Sequence, residues 1–188
     1  NLESFGILII LYIIGSIPFA ILSSKIFELP DPRTFGSRNP GATNVLRSGN
    51  KFAALFTLAG DTLKGFVPMI YMMSYNYEIY QLYLISFAIL IGHCFPVTLA
   101  FKGGKGVATS LGVLLALNPL VALMVIMAWI ITYYLFKVSG VSALIGFLLL
   151  PFFMFLVNSD SYMIIISFVN VIFIYLTHKR NIIKFLSS

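Results

Sequence analysis

Charge is scarce in this chain and cysteine nearly absent. Only 10% of its 188 residues are Asp, Glu, Lys or Arg, against roughly 25% in soluble domains, which excludes an ordinary water-soluble globule. The single cysteine, Cys94, excludes an intramolecular disulfide. With no paired Cys/His spacing, neither structural zinc nor another metal is expected, and no cofactor is called for. Familiar catalytic devices are missing as well: there is no Gly-x-Ser-x-Gly elbow, no Gly-x-x-x-x-Gly-Lys-Ser/Thr phosphate loop and no His-x-x-x-x-Asp box. His93 beside Cys94 does not make a thiol nucleophile, because adjacent helical residues diverge by about 100°.

What is present is hydrocarbon. With 60% hydrophobic residues and a mean hydropathy of +0.99, the chain reads as an all-α polytopic membrane protein, one transmembrane domain over residues 1–188. Apolar length and polar or proline breaks place spans at 5–27, 52–74, 79–96, 107–117, 119–136, 140–157 and 161–177. The first is too long for a signal-peptide core and reads as retained. Asn118-Pro119 splits residues 107–136, which would otherwise form one helix of about 45 Å. Seven transmembrane helices with the N-terminus outside and the C-terminus cytoplasmic put the basic connections 28–51, 102–105, 137 and 179–184 inside, and Glu3, Glu78 and Asp160 outside. Six spans would strand His178-Lys179-Arg180 outside. The fourth span is then about 16 Å long, which sinks the loop before it into a pocket open to the cytoplasm.

That loop is the centre of the chain: Gly92 to Gly112 reads GHCFPVTLAFKGGKGVATSLG. Lys102, Gly103, Gly104, Lys105 and Gly106 set three glycines and two ammonium groups before a helix start, which is how backbone amides and a helix N-terminus hold an anion. Thr109 lies in the first turn beyond. The loop before the second span carries Ser37, Arg38, Asn39, Thr43, Asn44 and Arg47 within eleven residues, with guanidinium groups that fork onto phosphate. Asp61 and Lys64 share a face of the second span and are expected to pair. Ser139 and Ser142 flank a third short turn. His178 and Asn181 share a face at the last membrane exit, while Lys179, Arg180 and Lys184 read as a snorkelling anchor.

Together GSRNPGATNVLR (36–47), DTLKG (61–65), GHCFPVTLAFKGGKGVAT (92–109), VSGVS (138–142) and HKRNI (178–182) resemble the acyl-phosphate-dependent glycerol-3-phosphate acyltransferases of bacteria, the PlsY family, over nearly the whole chain. The resemblance implies a seven-helix fold in the bacterial inner (plasma) membrane, with the active site facing the cytoplasm. It also implies transfer of an acyl chain from acyl phosphate to the sn-1 hydroxyl of glycerol 3-phosphate, giving lysophosphatidate for phospholipid synthesis. Ser37 and Arg47 match essential positions, the glycine-rich loop matches the glycerol-phosphate site, and His178 and Asn181 match positions important for activity. Arg38 departs from the family, which usually has glycine there. Relatives commonly continue past the position of Ser188 to a glutamate that supports the fold.

Acyl phosphate is already activated, so such an enzyme needs cations and amides that hold two phosphates, not a nucleophile. The expected catalytic set is Ser37, Arg47, Lys105, His178 and Asn181. Substrate binding is expected from Arg38, Asn39, Thr43, Asn44, His93, Lys102, Gly103, Gly104, Gly106, Thr109 and Ser142. The proton acceptor is His93, His178 or a substrate phosphate, with the phosphate favoured. The expected partners are acyl phosphate, glycerol 3-phosphate and the lipid bilayer; no nucleic acid is involved and the protein is expected to be a monomer. The rival reading is a transporter of organic phosphates, disfavoured because the outer loops carry no matching cationic gate.

Overall fold

The computed structural model describes residues 2–158 and 160–186, and within them it is helical without strands. The elements are α1 (Leu2–Gly15), α2 (Phe19–Ile26), α3 (Ala42–Leu46), α4 (Lys51–Met72), α5 (Ile79–Cys94), a 3₁₀ turn (Val97–Leu99), α6 (Val107–Leu117), α7 (Pro119–Phe136), α8 (Ser139–Leu148), α9 (Leu150–Asn158), α10 (Ser161–Thr177) and α11 (Lys179–Leu186). Five segments are long and apolar enough to cross a membrane: Phe5–Ile26, Lys51–Met72, Ile79–Leu99, Pro119–Phe136 and Ser139–Val157. Val107–Leu117 and Ser161–Thr177 are apolar but shorter. The stretches expected to span are mainly helical, the first of them interrupted at 16–18, while length marks five of the seven.

The first span is not one helix. Pro18 has no N–H to donate and disfavours helical backbone at Ile17, so the chain breaks between α1 and α2. Irregular backbone at this depth needs internal partners. It has them: the Ser16 carbonyl accepts from Thr98 Oγ1 at 2.8 Å and the Ile17 carbonyl from Lys64 Nζ at 2.8 Å. The expected break at Asn118-Pro119 is present. Asn118 caps α7 through the Val121 N–H at 3.4 Å, and Pro119 takes the first helical position, where a missing N–H costs nothing. The tail read as an anchor is itself helical, as α11.

Small residues set the packing. α4 lies most extensively against α6, and Gly65 and Gly112 bring each backbone against the other, with Gly65 facing the Thr109 carbonyl and Gly112 the Thr62 carbonyl. Gly15 and Gly92 do the same for α1 and α5. Such small-residue contacts let membrane helices approach where no hydrophobic force separates them from lipid. Met69, Ile89, Leu114, Phe147 and Ile174 fill the interior. Outward, Ile10, Phe52, Ile131, Leu135, Phe155 and Ile172 are exposed, an apolar surface suited to hydrocarbon. The central position of α6 places the glycine loop at the meeting point of α4, α5, α10 and α11.

Candidate active site

The glycine loop folds back on the end of α5. The Gly103 N–H donates to the Cys94 carbonyl and the Gly104 N–H to the His93 carbonyl, each at 3.0 Å. Two of the amides expected to face an anion therefore face the protein, because leaving the last carbonyls of α5 unpaired would cost about 1–3 kcal/mol each. The anion-facing donors lie one step later. Gly106, at φ +87°, is the N-cap of α6 and offers no side-chain acceptor. The Val107 and Ala108 amides meet no acceptor among the described residues. The first amides at the positive end of the eleven-residue α6 are thus unpaired among the described residues, the donors an anion would use there.

Lys105 is held at both ends. Its Nζ donates to Asn181 Oδ1 at 2.7 Å, and its carbonyl accepts from Thr177 Oγ1 at 2.9 Å. Burial pushes the Lys105 ammonium down to about 8, and the nearby Arg47 guanidinium adds to the shift. A cation held partly desolvated beside another cation gains most from binding an anion. Lys102 is exposed at the loop's edge.

The loop that carries Arg47 is built on Asn44. This buried side chain accepts the Ser37 N–H at 2.9 Å and donates to the carbonyls of Pro32 at 2.6 Å and Phe35 at 3.2 Å. Asn44 therefore shapes the loop, leaving Ser37, Arg38, Thr43 and Arg47 exposed and Asn39 half-buried. Arg38 sits at φ +56°, backbone that favours glycine. Arg33 is committed to Asp31 at 2.6 Å, and its hydrogen bonds hold the Asp31 carboxyl below the usual range. Arg38 and Arg47 have no carboxylate partner among the described residues.

Thr43 Oγ1 lies 3.2 Å from Ser139 Oγ, joining this loop to α8, and the Asn181 amide lies against Gly140. The structure thus gathers Arg47, Thr43, Lys105, Asn181 and the start of α6 onto one polar face. Other expected ligands sit elsewhere. Ser142 is fully buried and its hydroxyl donates back to the Val138 carbonyl at 3.1 Å. Thr109 is fully buried with its hydroxyl unpaired. His93 is buried beneath Gly104, beside Asp61.

His178 is buried as well, with Nδ1 2.8 Å from the Ile174 carbonyl. A carbonyl can only accept, so Nδ1 carries the hydrogen and Nε2 keeps a bare lone pair. Burial drives the ring down to about 4, with Lys105 adding to the shift and the Ile174 bond opposing it. A neutral ring this weakly basic can accept a hydrogen bond at pH 7 but is a poor proton acceptor. Thr177 was not expected as a partner of the glycine loop; the hydroxyl next to His178 in the sequence was its one visible signal.

A family model described as Glycerol-3-phosphate acyltransferase matches residues 5–188. A glycerol-3-phosphate acyltransferase of Methylobacillus flagellatus is 47% identical over 177 residues, covering 94% of this chain and 90% of the relative. The one of Nitrosomonas europaea is 44% identical over 183 residues, with the same coverage of 94% and 90%. Among solved structures, the crystal structure of PlsY (YgiH), an integral membrane glycerol 3-phosphate acyltransferase, in its glycerol 3-phosphate form, matches with a TM-score of 0.90 and 31% identity over 98% of this chain and 92% of that one. Its lysophosphatidic acid form matches at 0.89 and 30%, with the same coverage of 98% and 92%. The apolar helices, the cationic face and the match over nearly the full length converge: the chain belongs to the glycerol-3-phosphate acyltransferase family, integral membrane acyltransferases related to PlsY.

Proposed function

We propose that this protein transfers an acyl group directly from acyl phosphate to the sn-1 hydroxyl of glycerol 3-phosphate, without an acyl-enzyme. The observation that carries this reading is the pairing of Lys105 with Asn181 beside Arg47 and the open end of α6. This is a face of cations and amides that can hold anions, suited to a donor that is already activated. The hydroxyl oxygen attacks the acyl carbonyl, the carbon–oxygen bond to phosphate breaks, and the alcohol proton passes to the departing phosphate. The products are lysophosphatidate and inorganic phosphate.

Arg47, Ser37, Thr43 and Arg38 hold one phosphate, with Asn39 and Asn44 shaping their turn. Lys105 and the amides at Gly106 and beyond hold the other, with Lys102 at the rim and Gly103 and Gly104 supplying close approach. Asn181 and the bare Nε2 of His178 orient the glycerol hydroxyls. The substrate phosphate, with a second pKa near 6, takes the proton. We place seven crossings in the bacterial inner membrane, with this face toward the cytoplasm and the protein acting as a monomer.

The test is phosphate release by purified protein in lipid, given acyl phosphate with and without glycerol 3-phosphate. Release that requires glycerol 3-phosphate and yields lysophosphatidate is expected. Saturable glycerol-phosphate uptake into vesicles without release would favour a transporter and overturn the reading.

The pH profile tests Lys105 separately. Because its ammonium titrates near 8 rather than 10.5, the free enzyme loses the phosphate-binding cation as pH rises through that value. The KM for glycerol 3-phosphate is therefore expected to climb above pH 8, while kcat stays flatter because a bound phosphate keeps the lysine charged. In Lys105→Arg the climb should vanish, since guanidinium stays protonated. A wild-type KM that is flat to pH 9.5 would refute this role.

A further inference from the structure

Beneath the glycine loop lies a buried polar cluster that the acyl-transfer step does not use. Asp61 Oδ1 is 2.9 Å from Lys64 Nζ and 3.5 Å from His93 Nδ1, and all three side chains are buried. Lys64 is satisfied by Asp61 and by the Ile17 carbonyl, so an ion pair alone would need no histidine. The third member instead links the pair to the end of α5. There the His93 and Cys94 carbonyls receive Gly104 and Gly103. A side chain at Gly104 would overlap the His93 ring, reaching within 2.6 Å of its Cε1. The ring is therefore the floor on which the loop rests. Cluster and loop line one small cavity together, with Asp61, Lys64, His93, Gly103 and Gly104 in its wall.

We propose that Asp61 is a positioning residue for glycerol 3-phosphate binding: its Oδ1 fixes His93, the His93 ring and carbonyl fix the height of Gly104, and Gly104 delivers Lys105 to Asn181. The inference rests on the proposed reaction and extends it to residues that never touch substrate. Lys105 is one peptide from Gly104 and bonded at 2.7 Å and 2.9 Å to Asn181 and Thr177. Displacement of the loop by a few tenths of an ångström is thus felt at its ammonium.

The experiment is steady-state kinetics on purified wild type, Asp61→Asn, Gly104→Ala, His93→Ala and the His93→Ala/Gly104→Ala pair, with thermal stability measured on each. Asp61→Asn and Gly104→Ala are expected to raise the KM for glycerol 3-phosphate about 10-fold while the KM for acyl phosphate stays within about 2-fold. The double variant should bind glycerol 3-phosphate better than the two single effects predict, because removing the ring makes room for the new methyl group. A purely structural cluster would instead lower stability and active fraction without a KM selective for one substrate. A folded Asp61→Asn with wild-type KM, or strict additivity in the His93/Gly104 cycle, overturns the proposal and leaves the reaction intact. Wild type that shows no release dependent on glycerol 3-phosphate overturns the reaction, and this inference falls with it. Should Asp61→Asn fail to accumulate, the His93/Gly104 cycle decides.

Discussion

Lys105→Ala is expected to lower kcat/KM for glycerol-3-phosphate-dependent phosphate release by about 100- to 1,000-fold. The estimate is that of removing one preorganised donor from a charge-stabilising site, roughly 3–4 kcal/mol of transition-state stabilisation. The geometry explains why one lysine counts so heavily. Gly103 and Gly104 spend their amides on the His93 and Cys94 carbonyls, so the loop's contribution narrows to the Lys105 ammonium and the first amides of α6. Lys105 is also the residue that joins the glycine loop to α11 through Asn181. On the proposed reading its ammonium faces the phosphate of glycerol 3-phosphate, so its loss is read in kcat/KM for that substrate. Kinetics with both substrates varied check this. A loss below 10-fold would mean that Arg47 and the helix end suffice, and the assigned role of Lys105 would be withdrawn. Asn181→Ala should reproduce part of the loss, since it frees the ammonium without removing it.

The second large effect is on stability. Lys64→Ala is expected to destabilise the fold by about 3–5 kcal/mol, the cost of leaving one member of a buried ion pair uncompensated. At about 2–4 °C per kcal/mol for a chain of this size, the melting temperature in detergent should fall by roughly 10 °C. Three contacts go together: the 2.9 Å pair with Asp61, the 2.8 Å bond to the Ile17 carbonyl and the ammonium 5.8 Å from the centre of the Phe19 ring. The second of these satisfies a carbonyl freed by the break between α1 and α2, which at this depth needs an internal partner. Lys64→Met combined with Asp61→Leu should recover much of the loss, because apolar replacement of a buried pair removes its desolvation cost. If the single variant melts like wild type, the pair carries no stability and the break in the first span is held by Thr98 alone.

Arg38 shows how a sequence departure acquires meaning in three dimensions. This chain holds arginine in left-handed backbone, which glycine would adopt freely. The turn is therefore preserved at a cost of about 1 kcal/mol, and an exposed guanidinium is added to a face that already carries Arg47 and Lys105. On the proposed reading, the extra cation strengthens the field that draws phosphate-bearing substrates to this face.

Composition alone settled that this chain lives in a bilayer, and apolar runs located its helices, down to the break at Asn118-Pro119. The glycine-rich loop and the two basic loops pointed to an anion site because glycines let backbone amides approach a ligand beside lysine and arginine, and the same blocks carried the family. Those signals are local, written in periodicity and residue type. Tertiary structure decided the rest. It paired Lys105 with Asn181 across 76 residues and Thr43 with Ser139 across 96, turned the Gly103 and Gly104 amides inward, and spent Ser142 on its own helix. It also broke the first span, although Pro18 stood in plain view, because only Lys64 and Thr98, supplied from elsewhere, make the exposed carbonyls tolerable. Hydrophobic burial depends on how much surface is covered and can be read from spacing. A hydrogen bond depends on placement within a few tenths of an ångström, which spacing along a chain does not specify.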